Sequence, residues 1–352
     1  MANYGTLKGT AEYYWLSNSA DTVKLAGTKN NVYGQKGNDT IKIIAGQEQW
    51  AFGGIGNDKL IIAAGKNNKA AGGVGKDAIT VSGGSNQWVW GDEGNDTITV
   101  TGGSSHVVYG NAGNDAITVK KGSGDSLEIY GDSLDGDSGN DTIVIKAGKY
   151  HEIYAGAGND EVTLDKGTGN LVWIQGGTGK DTITVNSGSK HYIFGESGND
   201  NIVIKAGNGH KIFTGSGNDK LTISGGKNHI IHLEKGKNTV KVSAAGTEIH
   251  TGESSIDNIT INWQKGKQNG NYLIKTSNSC LEGTAYDDTL RIKGIKSSAF
   301  DFKYKDSCLI LSNSQGSITI EYSLINGFTK GITFDNKTLS TITMHKKAGA
   351  FN

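Results

Sequence analysis

Ten aspartates recur in a nearly constant setting: Asp39, Asp58, Asp77, Asp96, Asp115, Asp141, Asp160, Asp181, Asp200 and Asp219. Two positions before each stands a glycine: Gly37, Gly56, Gly75, Gly94, Gly113, Gly139, Gly158, Gly179, Gly198 and Gly217. Seven of the nine intervals are 19 residues; Asp115 to Asp141 spans 26 and Asp160 to Asp181 spans 21. One such copy is only a turn, since Gly, Asn and Asp all favour turns. Ten copies in register imply stacking, which sets the carboxylates in a file roughly 4.8 Å apart. A bare file of that kind repels itself. A hard cation relieves it, and one carboxylate plus turn carbonyls from neighbouring coils suits Ca2+ better than the small, rigid Mg2+ octahedron. The expectation is about ten Ca2+ ions along one edge.

The elements that must position this file follow from the residues around it. Apolar residues sit two and four after the aspartate, as in Ile41 and Ile43, Leu60 and Ile62, Ile98 and Val100, Ile202 and Ile204. A period of two is a strand with one buried face. A second apolar column lies seven before it: Val32, Val89, Val108, Ile153, Ile193 and Ile212. Two short strands and two glycine-rich turns per repeat predict a parallel β-solenoid, one repeat per coil.

Composition agrees. The 352 residues include 54 glycines and no proline. Glycine tolerates tight turns and close backbone approach, and proline would delete a ladder N–H. Lys plus Arg and Asp plus Glu each total 35, and Arg291 is the single arginine, which argues against nucleic acid. No run of 18 apolar residues marks a membrane span. The start, MANYGTLKGT, lacks the apolar stretch of a signal peptide. No G-x-S-x-G elbow, H-E-x-x-H helix, C-x-x-C pair or P-loop occurs, and no isolated acidic pair, so no enzyme is expected.

GGIGNDKLI (Gly53–Ile61), GGVGKDAIT (Gly72–Thr80) and GGTGKDTIT (Gly176–Thr184) match the GGxGxDxUx nonapeptide. On these motifs, about residues 10–262 resemble the RTX, or hemolysin-type, calcium-binding β-roll repeat. That family usually carries two nonapeptides per coil, whereas here only one turn per 19-residue coil has the motif. The one-sided form resembles the solenoids of giant bacterial adhesins, including the ice-binding kind. The resemblance implies type I secretion and folding in extracellular calcium. The region from 263 resembles the cap that follows many RTX arrays, with GITFDNKTLS as its phrase. The expected fold is an all-β, right-handed parallel β-roll or β-solenoid of about 12 coils with a small β-rich C-terminal cap. The expected divisions are 1–29, an N-terminal cap and degenerate first coil (Asp21); 30–262, the calcium-binding solenoid; and 263–352, the capping module.

Several features remain open at this level. Asn238 lacks the charge, Leu233 replaces a turn glycine and Asp257 follows Ser255, so these last coils should bind calcium weakly or not at all. After Asp115 two extra residues are expected in the calcium-free turn and five in the calcium turn, adding Asp132, Asp135 and Asp137. Those acids are either a further calcium site, a partner contact or a solvated loop.

The faces and the remaining columns also leave alternatives. Trp50, Trp88, Trp90, Tyr109, Trp173, Tyr192 and Phe194 should point outward from the second sheet. Such a face is a platform for a glycan, a cell surface or a second copy, or a stacked column that stiffens the sheet; a register error of one would make it core. The threonine position of an ice-binding GTGND turn is held by other residues except at Thr178, which argues against ice binding. His106, His151, His191, His210 and His229 share a column with Asn30, Gln49, Asn68 and Gln87. Either it binds zinc or it is a hydrogen-bonded polar ladder. Cys280 and Cys308 either pair or stay as thiols.

Overall fold

A computed structural model describes residues 2–133, 136–252, 256–264, 269–276, 289–305, 308–321, 332–335 and 338–339. The chain divides into two compact units, Met1–Asp181 and Thr182–Asn352. Both units are all-β parallel solenoid.

In the first unit, the strand after each aspartate lies in parallel register with its equivalents in neighbouring coils. Ile98 sits opposite Ile79 on one side and Ile117 on the other, a step of 19 each way. The strand before each glycine turn does the same in a second sheet, with Val89 between Ala70 and Val108. Along Thr97–Val100 exposure alternates, and Ile98 and Val100 are fully buried. Val32, Val89, Val108 and Ile153 are fully buried on the second sheet. The core therefore consists of self-stacked β-branched columns, which suits Ile and Val.

Irregular coils keep the columns and change the turns. The step is 21 from Val108 to Ile129 and 26 from Ile117 to Ile143. Two extra residues thus lie in the calcium-free turn and five in the glycine turn. Between Ile153 and Ile174 the step is again 21.

The second unit has the same parallel columns, such as Ile202, Leu221, Val240 and Ile259. Parallel stacking continues past residue 262: Ile249 faces Ile274, Ile259 faces Leu290, and Leu290 faces Ile332. The repeat ends there but the stacking does not, because a ladder needs alternating apolar residues in the strands and sets no length for the turns between. Antiparallel pairing then joins Asp301–Lys305, Cys308–Asn313 and Gly316–Glu321. Here aromatics join the aliphatics in the core: Trp263, Tyr272, Phe300 and Phe334 are buried beside Ile274, Leu290, Leu309 and Ile318, with Trp263 edge-on to Phe300 at 4.9 Å. Cys308 is half-buried on its strand; Cys280 and Asp135 lie outside the described residues.

Candidate metal centre

The glycine turn forces two backbones together. Gly94 has φ +133°, and a Cβ there would strike the carbonyl of Gly75 one coil back. This approach brings each aspartate under the next. The Asp77 N–H donates to Asp96 Oδ1 at 2.7 Å, and the Asp96 N–H to Asp115 Oδ1 at 2.6 Å. The same bond runs from Asp21 to Asp39, Asp58 and on through Asp141 and Asp160 to Asp181, and in the second unit from Asp200 to Asp219 and from Asp219 to Asn238. All these side chains are buried.

One oxygen of each carboxylate is thereby satisfied. For Asp39, Asp58, Asp77, Asp96, Asp115, Asp141 and Asp160, Oδ2 is buried with no hydrogen-bond donor. Burial pushes Asp39 and Asp96 up to about 6, Asp77, Asp115 and Asp160 to about 7, and Asp141 to about 8. The donated backbone N–H opposes this rise in each case, and neighbouring carboxylates add to it. Asp21 is the internal control. Burial raises it, but the Ser17 hydroxyl and the Ala2 and Ser17 amides outweigh burial and hold it below the usual range. An aspartate of this column with all its donors needs no cation.

The orphan oxygens look onto a cradle that only glycine leaves open. A Cβ on Gly53 would run into Asp58 Oδ2 and the Gly72 carbonyl; one on Gly91 would meet Asp96 Oδ2 and the Gly110 carbonyl. The same pairing recurs at Gly34, Gly72, Gly110 and, in the second unit, Gly195. A carboxylate oxygen and a carbonyl oxygen of the next coil converge there, the donor set of a hard cation. No group of three or more His, Cys, Asp or Glu forms a metal cluster among the described residues. A cation in this turn would therefore be held by single carboxylates with backbone carbonyls. Asn238 fits less well, since it offers no charge and its Nδ2 is buried without an acceptor.

The opposite turn carries the polar ladder. Asn68 N–H donates to Gln87 Oε1 at 2.8 Å, and Gln87 Nε2 donates to the Gly65 carbonyl at 2.9 Å. Histidine does the same work: His191 N–H donates to His210 Nδ1 at 3.2 Å, and His210 Nε2 bonds the Ala206 carbonyl at 3.2 Å. Since Nδ1 accepts, the proton sits on Nε2. His106, His151 and His229 follow the pattern. Both ring nitrogens are engaged in hydrogen bonds, the arrangement of a polar ladder. Burial pulls His191 down to about 4 and His210 to about 3. The residue before the ladder is left-handed without being glycine, as at Glu48 (φ +53°) and Tyr150 (φ +58°).

Sequence reasoning missed a third ladder. The asparagine before eight of the ten aspartates is exposed, and Asn95 Oδ1 accepts the Asn114 N–H at 2.8 Å; Lys76 and Lys180 stand in the other two coils and donate only their N–H. Asn57, Asn140, Asn159 and Asn218 are bonded alike. Its signal was in the GND triplet itself, whose asparagine recurs in all but the two GKD coils, where the ladder is interrupted.

The aromatic column faces outward. Trp50, Trp90, Tyr109, Trp173, Tyr192 and Phe194 are half-buried and Trp88 is 40% exposed. Their rings stack along the column: Tyr33 on Phe52 at 4.8 Å, Tyr109 on Tyr130 at 4.6 Å, Phe194 on Phe213 at 4.7 Å.

The family model of the RTX calcium-binding nonapeptide repeat matches four copies, at residues 90–124, 130–144, 152–171 and 173–189. The chain carries RTX calcium-binding repeats. These RTX copies cover the coils of Asp96, Asp115, Asp141, Asp160 and Asp181. No curated protein matches the chain. Among solved structures it is similar to the "X-ray crystal structure of a hyperactive, Ca2+-dependent, beta-helical antifreeze protein from an Antarctic bacterium", with 16% identity, a TM-score of 0.47, and coverage of 93% of this chain and 94% of that one. Among the described residues, no helix is long and apolar enough to cross a membrane.

Proposed function

We propose that the aspartates from Asp39 to Asp219 hold about ten Ca2+ ions along one edge, and that the chain is a secreted structural or adhesive protein folding in extracellular calcium. The observation that carries this reading is the run of seven buried Oδ2 atoms without donors. Bound calcium would supply positive charge to these seven carboxylates, which have no lysine or arginine ion pair among the described residues. The Asp carboxylates would give one ligand type. The carbonyls of the turn glycines, Gly53, Gly72, Gly91 and Gly110 among them, would give the other. Gly37 to Gly217 let the coils approach closely enough for this. The RTX repeats support export, with type I secretion as the route. We read the protein as non-catalytic, because these carboxylates are committed to backbone N–H groups.

Circular dichroism with and without EGTA tests the claim. Strand signal should build on calcium addition and fall on chelation; a spectrum indifferent to both would sink it. A glycan- or surface-binding role for the outward aromatic face is the second reading, carried by the exposure of Trp88. Most ring faces are covered by other rings, which favours stiffening of the sheet. Glycan-array binding lost in Trp88→Ala would establish the platform.

A further inference from the structure

One column of the glycine turn departs from the repeat. Four positions before the aspartate the first-unit coils carry Gln35, Gly54, Gly73, Asp92, Asn111, Gly156 and Gly177, and the second unit begins with Glu196; in the enlarged turn Asp132, nine before Asp141, stacks between Asn111 and Gly156. Gln35 (φ +72°) and Glu196 (φ +73°) share the left-handed backbone, so loss of glycine alone marks no site; what sets Asn111 and Asp132 apart is their buried oxygens. Asp92 and Asn111 are left-handed at φ +74° and +68°, a conformation glycine adopts without strain and other residues rarely keep. Asn111 Nδ2 donates to Asp92 Oδ1 at 3.2 Å, which turns its own Oδ1 toward the interior, where it is buried with no donor. Its backbone N–H bonds the Gly131 carbonyl at 2.8 Å, so Asp132 is the next residue of the column.

Asp132 is 5% exposed. Its Oδ2 accepts the Ala157 N–H at 2.6 Å, while Oδ1 is buried and has no donor. The side chain lies across Gly156, where any Cβ would collide with it. The charge of Asp137 reaches both Asp92 and Asp132. None of Asp92, Asp132 and Asp137 has a lysine or arginine partner among the described residues.

We propose an additional divalent-cation site here, adjoining the aspartate file at Asp115, Asp141 and Asp160, in which Asp132 Oδ1 and Asn111 Oδ1 are side-chain ligands to Ca2+. The donors are carboxylate and amide oxygens only, the preference of a hard cation; Ca2+ tolerates an irregular ligand set, whereas Mg2+ demands a near-ideal octahedron. The inference rests on the calcium reading above.

The test is the number of Ca2+ ions bound per full-length chain at saturation, by equilibrium dialysis. Asp132→Asn should bind one fewer than the parent and keep the strand signal in calcium. Asn111→Asp should keep the parent count and tighten one site severalfold. An Asp132→Asn chain with the parent's count and affinities overturns the proposal. If that variant fails to fold, Asn111→Leu decides by the same count: one ion lost supports the site, an unchanged count overturns it. A parent chain that binds no calcium would instead overturn the file itself.

Discussion

In one coil Asp96 takes a backbone N–H from Asp77 in the glycine turn, and Gln87 takes one from Asn68 in the opposite turn. The two bonds are equivalent, at 2.7 and 2.8 Å. What differs is the second atom. Gln87 has a donor left, and it reaches the Gly65 carbonyl. Asp96 has a second acceptor left, and no donor comes to it. The Gln87 amide is satisfied within the polypeptide. The Asp96 carboxylate is not. Histidine joins the first class because a neutral imidazole is also one acceptor and one donor. On the calcium reading proposed above, dependence on the cation would follow from the second carboxylate oxygen, since both turns are buried and both are laddered.

The sharpest break is to move the carboxylate across. Gln87→Glu keeps the acceptor for Asn68 N–H and removes the donor to Gly65, leaving a buried charge facing a carbonyl. It should cost about 3 kcal/mol or more, with or without calcium. The urea midpoint checks it. A loss that calcium restores would mean either turn can recruit a cation, and the comparison would fail.

Acid should separate the turns next. The His191, His210 and His229 rings have folded pKa values below the unfolded 6.5, at about 4 for His191 and about 3 for His210. The unfolded chain takes up protons that the folded ladder refuses. Their contribution is therefore full above pH 6.5 and is lost as the pH falls from there towards 4 and 3. His191 alone accounts for on the order of 3 kcal/mol once fully protonated. A variant with all three replaced by Gln, the residue used at Gln49 and Gln87, should lose that part of the acid sensitivity. Identical pH profiles for parent and variant would show the ring hydrogen bonds to be dispensable.

Much of this could be read from residue types. Ile41, Ile43 and Val32 announced two strands per coil, because a period of two has one structural meaning. The register across Asp115 to Asp141 followed from where KKGSGDSL and GDSLDGDSGND depart from the repeat. The rest was hidden for physical reasons. Glu48 and Tyr150 do not advertise a left-handed backbone; the ladder beside them imposes it. Parallel stacking beyond residue 262 has no repeat to signal it, since turns of unequal length leave no period. The histidines were visible as a column, but their ring orientation depends on carbonyls that only the folded coil places. Asp132 looked like one acid of a loop, and its burial over Gly156 could not be seen in the letters.

Asp96→Asn makes the cation's share measurable. In calcium the variant should lose about 2.7 kcal/mol when free calcium stands 100-fold above the site's Kd. In EGTA it should lose nothing, because a buried anion has been exchanged for a neutral amide. Paired urea midpoints in the two buffers give the answer. An equal loss in both would locate the aspartate's role in its backbone hydrogen bond alone.

The smallest effect belongs to the exposed ladder. Asn95→Ala removes one acceptor, leaving the Asn114 N–H to water. Because water replaces the lost partner, the cost should be about 0.5–1 kcal/mol, near the net worth of an ordinary hydrogen bond. The count of calcium ions should stay unchanged, since no buried oxygen has been altered. Asn95 and Asp96 are neighbours in one turn and both serve ladders of the same step, so burial is the variable between them. A loss at Asn95 as large as that at Gln87 would show that ladder geometry, and not the burial of its second atom, sets the strength of these turns.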